Sequence, residues 1–259
     1  MNRKLSKPND HVVIRLLVVL TFGLGLSMAW TPRAQAAGDV QVSVQNGNLI
    51  IRGDDQDNNI ILTENSVSGR ADTTVNGERH IFIPEGVTKD VDIKMKGGND
   101  FVRIELPGTN FAVPVNLKVG MGPGDDILEL LQVKVPDETQ IDTGSGNDII
   151  FIDGVLGVNE YINPDFMGKF KLEAGSGEDL FEFHHAIFRG EVDVRLGSGI
   201  DGACSTEDSE FQMPDQARFD GGEPNGFPGD GFVAPSLEFT NITGFENFPD
   251  DCSFLGGRF

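Results

Sequence analysis

Five aspartates carry the most regular chemistry in this chain. Asp100, Asp126, Asp148, Asp179 and Asp201 follow one another at intervals of 26, 22, 31 and 22 residues. Each closes a glycine-rich phrase, and in most copies a β-rich apolar run follows it. The fullest copy is Asp142-Thr-Gly-Ser-Gly-Asn-Asp-Ile-Ile-Phe-Ile152, with Gly97, Gly122, Gly175 and Gly197 opening comparable phrases and Gly144 opening this one. A weaker copy stands at Pro228-Gly-Asp-Gly-Phe-Val233 and an early one at Arg52-Gly-Asp-Asp-Gln-Asp-Asn-Asn-Ile-Ile-Leu62. Glycine reaches positive φ and lets carbonyls turn toward one point, and each aspartate adds a carboxylate there. Hard cations such as Ca²⁺ take about six to eight oxygens from carboxylates and carbonyls together. One turn supplies too few, but two turns stacked about 4.8 Å apart could hold an ion between them. Without an ion, a column of carboxylates repels itself. The side chains are then expected either in solvent or capping turn amides.

A column needs elements that return the chain to the same place, and the sequence supplies them. A repeat of roughly 20 to 50 residues marks a stacked array. Alternating segments such as Val91-Asp-Ile-Lys-Met95, Val115-Asn-Leu-Lys-Val119 and Val192-Asp-Val-Arg-Leu196 run into the glycine turns, with one face inward and one outward. Gly and Pro punctuate the chain, and no long amphipathic helical stretch interrupts it. The expected fold is all-β, a parallel β-helix (β-solenoid) of about six to seven coils with one Gly-Asp turn per coil. A β-sandwich is the alternative. Phe101, Phe151, Phe181 and Phe183 are candidate inward rungs, and an insertion is expected at residues 154–167. Asn46-Gly47 between two apolar runs predicts an early hairpin. His184 and His185, adjacent on a strand, are expected to face opposite ways as packing or surface residues.

The turns resemble the Gly-Gly-x-Gly-x-Asp-x-apolar-x repeat of RTX, or haemolysin-type, calcium-binding proteins. The likeness spans Gly97 to Asp201, and Gly144-Ser-Gly-Asn-Asp-Ile-Ile and Gly175-Ser-Gly-Glu-Asp-Leu-Phe are its nearest copies. The resemblance implies Ca²⁺ held between successive turns. Its ligands would be Asp100, Asp126, Asp148, Asp179 and Asp201, with carbonyls from Gly97, Gly122, Gly144, Gly175 and Gly197. This chain departs from the family in having one glycine turn per 22 to 31 residues instead of tandem nine-residue units. Only one edge of the array could then carry ions. Pro123 interrupts one copy, and the Asp201 copy lacks the apolar pair.

The first 36 residues read as a secretory signal peptide. A basic start is followed by a short apolar run and then Ala34-Gln35-Ala36, and the run is too short for a bilayer span. Residues 37–90 are expected to form N-terminal coils and a cap, 91–235 the repeats, and 236–259 the last coil and cap. The first 36 residues hold five of the 20 Lys/Arg and one of the 41 Asp/Glu, so removing them leaves a net charge of about −25. That field repels nucleic acid and favours cations. Export implies an oxidising compartment, where the two cysteines, Cys204 and Cys252, allow one disulfide.

These features favour a secreted, non-enzymatic solenoid with a structural, adhesive or matrix role. Its expected partners are calcium ions and a cell-surface or matrix polysaccharide. The alternative is a β-helix enzyme acting on polysaccharide by lyase or epimerase chemistry. Such an enzyme needs a defined pair or cleft of catalytic groups, and the acids here are spread too evenly to nominate one. The single Trp, Trp30, lies in the leader.

Overall fold

The structure, a computed structural model, describes residues 39–65, 70–75, 78–82, 87–106, 113, 115–156, 161–205, 209–224, 231–233, 241–243 and 245. By backbone proximity the chain divides into Met1–Gln35 and Ala36–Phe259, and all described residues belong to the second unit. They are all-β apart from one 3₁₀ turn at Pro214–Gln216. No helix among them is long and apolar enough to cross a membrane.

Two large sheets take successive strands in alternation. The first runs Gln41–Gln45, Asn48–Arg52, Val91–Lys94, Leu117–Pro123, Thr139–Ser145, Phe170–Ser176, Val192–Gly199, Ala217–Asp220 and Asn241–Thr243, with Glu223–Pro224 also beside Val192–Gly199. The second runs from Asn59–Asn65 through Phe101–Glu105, Ile127–Leu131, Ile149–Asp153, Leu180–His184 and Gly202–Ser205 to Gly231–Val233. Within each series every pairing after the first hairpin is parallel and in register. A third sheet of two-residue strands, Lys134–Val135, Asp165–Phe166, Ile187–Phe188 and Glu210–Phe211, is parallel as well. Parallel neighbours need a long return connection, and here one repeat supplies it: first sheet, Gly-Asp turn, second sheet, and back.

The expected hairpin is present. Gln41–Gln45 pairs antiparallel with Asn48–Arg52 across Asn46 and Gly47, both at positive φ (53° and 88°). Beyond Asn59–Asn65 the second sheet continues as an antiparallel meander through Arg70–Val75 and Glu78–Phe82. The insertion at 154–167 is partly a small hairpin, Val155–Leu156 against Tyr161–Ile162. Its end, Asp165–Phe166, joins the third sheet.

Alternation sends one face of each strand into a shared core. Leu49, Val91, Leu117, Thr139, Phe170, Val192 and Ala217 form one buried row of the first sheet. Ile60, Val102, Leu128, Ile150, Phe181, Ala203 and Phe232 form one row of the second. Each repeat buries little alone, and stacking makes the core continuous. Phe181 and Phe183 are rungs, as expected. Phe101 and Phe151 are not: period-two alternation turns them to the half-exposed face, and Val102, Ile104, Ile150 and Ile152 go inward. Phe101 lies under the Arg103 guanidinium, 5.5 Å from ring centre, and Phe151 meets His184 edge-on. From residue 166 onward the filling becomes aromatic, with Phe166–Phe188 and Phe188–Phe211 stacked at 5.2 and 4.7 Å.

Thr139 breaks its row chemically. Its side chain is fully buried between Leu117 and Phe170, and its hydroxyl has no hydrogen-bond partner. An unpaired buried hydroxyl costs about 1–3 kcal/mol, and valine keeps nearly the same volume. Thr139→Val is therefore expected to stabilise the fold by about 1 kcal/mol, read as a higher urea midpoint at unchanged m-value.

Candidate functional site

The repeated turns converge on one edge, between the end of each first-sheet strand and the start of its second-sheet partner. Register there explains the glycines. Gly122, Gly144, Gly175 and Gly197 stack directly on one another at φ 103–109°. Gly98, Gly124, Gly146, Gly177 and Gly199 form a second stack, also at positive φ. Gly97 does not belong to the first stack. It lies one residue out of register, and its place is held by Lys96, a lysine at φ 85° whose carbonyl lies against Gly122. Counting four residues back from each aspartate gives this alignment, whereas the doubled glycine at 97–98 points to the wrong residue.

The five aspartates are brought together as a continuous buried column, each no more than 2% exposed. The Oδ1 of each accepts the backbone N–H of the equivalent residue one repeat earlier. Asp100 N–H donates to Asp126, Asp126 to Asp148, Asp148 to Asp179 and Asp179 to Asp201, at 2.7–2.9 Å. Asn58 stands at the head, donating its N–H to Asp100 at 2.8 Å. The early copy of the phrase thus carries an amide in place of the acid. The carboxylates are not in solvent, and each caps a turn amide.

A second ladder runs beside the first with opposite sense, and sequence reading missed it. Asn99 N–H donates to Asp57 Oδ1, Asp125 to Asn99, Asn147 to Asp125 and Glu178 to Asn147, at 2.8–3.1 Å. These exposed residues immediately precede the column positions. Their signal was the recurring Asn or acid before each aspartate.

The second carboxyl oxygens set the electrostatics. Oδ2 of Asp100, Asp126, Asp148 and Asp179 is buried without a hydrogen bond. Burial accordingly raises all four pKa values from 3.8, to about 6 at Asp100, about 7 at Asp126 and about 8 at Asp179. The captured amides pull the other way, and neighbouring carboxylates add to the rise. At Asp100 and Asp148 the Asn58 amide and Thr143 hydroxyl also lower the value, though each donates its hydrogen bond elsewhere, to Gln56 and Ala174 carbonyls. A desolvated oxygen with no donor wants a proton or a cation.

Of the other candidate residues, Cys204 is fully buried in Gly202–Ser205, opposite Glu182. Cys252 lies outside the described residues. His185 sits buried at a corner with φ 53°, its Nδ1 2.9 Å from Asp153 Oδ1, and His184 remains on its strand against Phe151. The two imidazoles make different contacts, but His185 lies past the end of Leu180–His184 at a left-handed corner and not on the strand expected for both.

A scan against protein-family models found no match, and neither the search of curated proteins nor that of solved structures returned one.

Proposed function

We propose that this chain is an exported, non-enzymatic β-solenoid, a parallel β-helix of about six to seven coils with a structural or adhesive role, whose Gly-Asp edge is a seam neutralised by protons or by Ca²⁺. The observation that carries the reading is the run of Oδ2 atoms of Asp100, Asp126, Asp148 and Asp179, stacked, buried and without hydrogen bonds. The unbroken parallel register of two sheets supports the solenoid. The leader-like first 36 residues support export, and a Cys204–Cys252 bridge would suit that compartment.

Ca²⁺ suits the donor chemistry in part. The aspartates offer one spare hard oxygen per repeat beside glycine carbonyls, but the other oxygen of each is committed to an amide. The ion would screen the column and link adjacent repeats, while the peptide framework already holds the geometry.

Thermal unfolding of residues 37–259 in Ca²⁺, Mg²⁺ or chelator tests the reading. A ligand at about a hundred times its dissociation constant stabilises by roughly 2.7 kcal/mol, which for a chain of this size raises Tm by roughly 5–10 °C. The gain is expected at pH 8 with Ca²⁺ alone, and is expected to shrink at pH 5, where protons already neutralise the seam. Superimposable curves at pH 8 would remove Ca²⁺ from the reading and leave the proton. Turnover of a uronic-acid polymer by the purified chain would overturn the non-enzymatic role.

A further inference from the structure

The outer face of the first sheet is a lattice of paired charges with one gap. Arg52 pairs with Asp92 at 2.7 Å, Lys118 with Asp90 at 3.7 Å, Lys171 with Glu173 at 2.9 Å and Arg195 with Asp193 at 2.9 Å. Lys94 and Lys96 are exposed on the same face and make no ion pair with a described residue. Lys94 lies beside Gly120, which has no side chain to offer it, and Gly120 lies beside Asp142.

A recess of about 440 Å³ opens here, lined by Lys94, Lys96 and Asp142 together with Gly120, Met121, Gly122, Pro123, Gly144 and Ser145. Two facts mark it as more than a dent. Gly120 has no backbone reason to be glycine: its φ is not positive, and an added Cβ would meet only Lys94 Cγ, at 3.9 Å. The stacked turn glycines, by contrast, would each drive a Cβ into a neighbouring carbonyl. Lys96 occupies a position that glycine fills in the next four repeats, at a φ that costs a side-chain-bearing residue about 1–3 kcal/mol. The chain thus carries backbone strain to place a cation at this rim, and omits a side chain to keep the space open.

We propose that this recess binds a small sugar acid, a single uronate unit. Lys94 and Lys96 both line the recess and supply the ammonium donors a carboxylate needs. Asp142 on the far wall, two strands away and so about 10 Å off, accepts hydrogen bonds from hydroxyls and rejects a second anion. A floor of glycine backbone offers a flat surface for the C–H face of a ring, and the volume lies within the usual range of about 300–1,000 Å³ for small-molecule sites. The strongly negative charge of the rest of the chain disfavours a long polyanion, so the ligand is one acidic unit or the end of a largely neutral chain. This site stands apart from the aspartate column and does not depend on what neutralises that column.

Titration of residues 37–259 with D-galacturonate, followed by amide chemical shifts, tests the site. D-galactose serves as the uncharged control and acetate as the carboxylate without a ring. Saturable shifts around Lys94, Gly120 and Asp142 are expected with galacturonate alone. Gly120→Glu fills the recess and gives Lys94 a partner without backbone strain. Lys94→Ala removes a charge-assisted contact. Each is expected to weaken binding at least roughly tenfold without lowering Tm. Absence of saturation with galacturonate overturns the proposal, as does wild-type affinity in Gly120→Glu. Galactose binding as tightly as galacturonate overturns the role of the lysines, and acetate doing so overturns the sugar.

Discussion

Gly144→Ala is expected to cost more than about 3 kcal/mol, a large share of a total stability of the usual order of about 5–15 kcal/mol. Gly144 sits at φ 103°, and an added Cβ would run into the carbonyl oxygen of Gly122, with the carbonyl carbon at 2.8 Å and Cα at 3.1 Å. All three obstacles are backbone atoms fixed in the ladder between Leu117–Pro123 and Thr139–Ser145. None can rotate away as a side-chain tip could. The fitting control is Gly120→Ala, two residues from Gly122. With ordinary φ and open space above it, it is expected to gain about 0.4–1 kcal/mol by restricting the unfolded chain. Urea unfolding of the two variants beside wild type measures both. Equal effects would mean that the glycine stacks are not what the turns require.

In chelator, the folded protein is expected to lose several kcal/mol of stability between about pH 4 and pH 8, since each unit of pKa shift is worth about 1.4 kcal/mol. Asp100, Asp126 and Asp179 have folded values near 6, 7 and 8, against 3.8 ordinarily. An acid whose folded pKa is raised holds its proton more tightly in the folded state. Its contribution is whole below 3.8 and is lost as pH climbs through the folded value. The expected Tm profile therefore falls from about pH 4 to about pH 8, the reverse of a protein held by ionised salt bridges. Asp126→Asn and Asp179→Asn should flatten it, because the amide oxygen still caps the preceding N–H while carrying no charge. Asn58 already occupies the head of the column, so the geometry admits asparagine. Alanine at either position should be costly at every pH, since it strands a buried N–H. A profile rising with pH would show that the column is ionised and neutralised by something other than protons.

Much of this was legible in the sequence because the repeat is strict. Parallel pairing, the early hairpin, and the positions of Asp100 through Asp201 all follow from spacing and alternation. What escaped has physical causes. Phe101 and Phe151 look like core residues by size, yet period two assigns the inward places to their smaller neighbours. Gly97 looks like the turn glycine by residue type, yet the register of the backbone sets Lys96 there instead. The fate of the carboxylates depends on the stacking distance between repeats, which no single repeat contains. The meander at Arg70–Val75 and Glu78–Phe82 is antiparallel and outside the repeat, so periodicity said nothing about it.

The opposed senses of the two side-chain ladders give the array a direction in time. Each inner N–H is satisfied by a carboxylate from the repeat that follows, and each outer N–H by a side chain from the repeat before. A chain emerging from its N-terminus therefore completes its outer edge at once, while its newest inner donor stays bare until another repeat arrives. Growth at that front is a one-way zipper in which every added repeat satisfies the donor left bare by the last. Shortening the chain from its two ends should then be unequal in effect: loss of the following repeat strands a buried donor, whereas loss of the preceding repeat frees a carboxylate to ionise and an exposed outer N–H that water can serve.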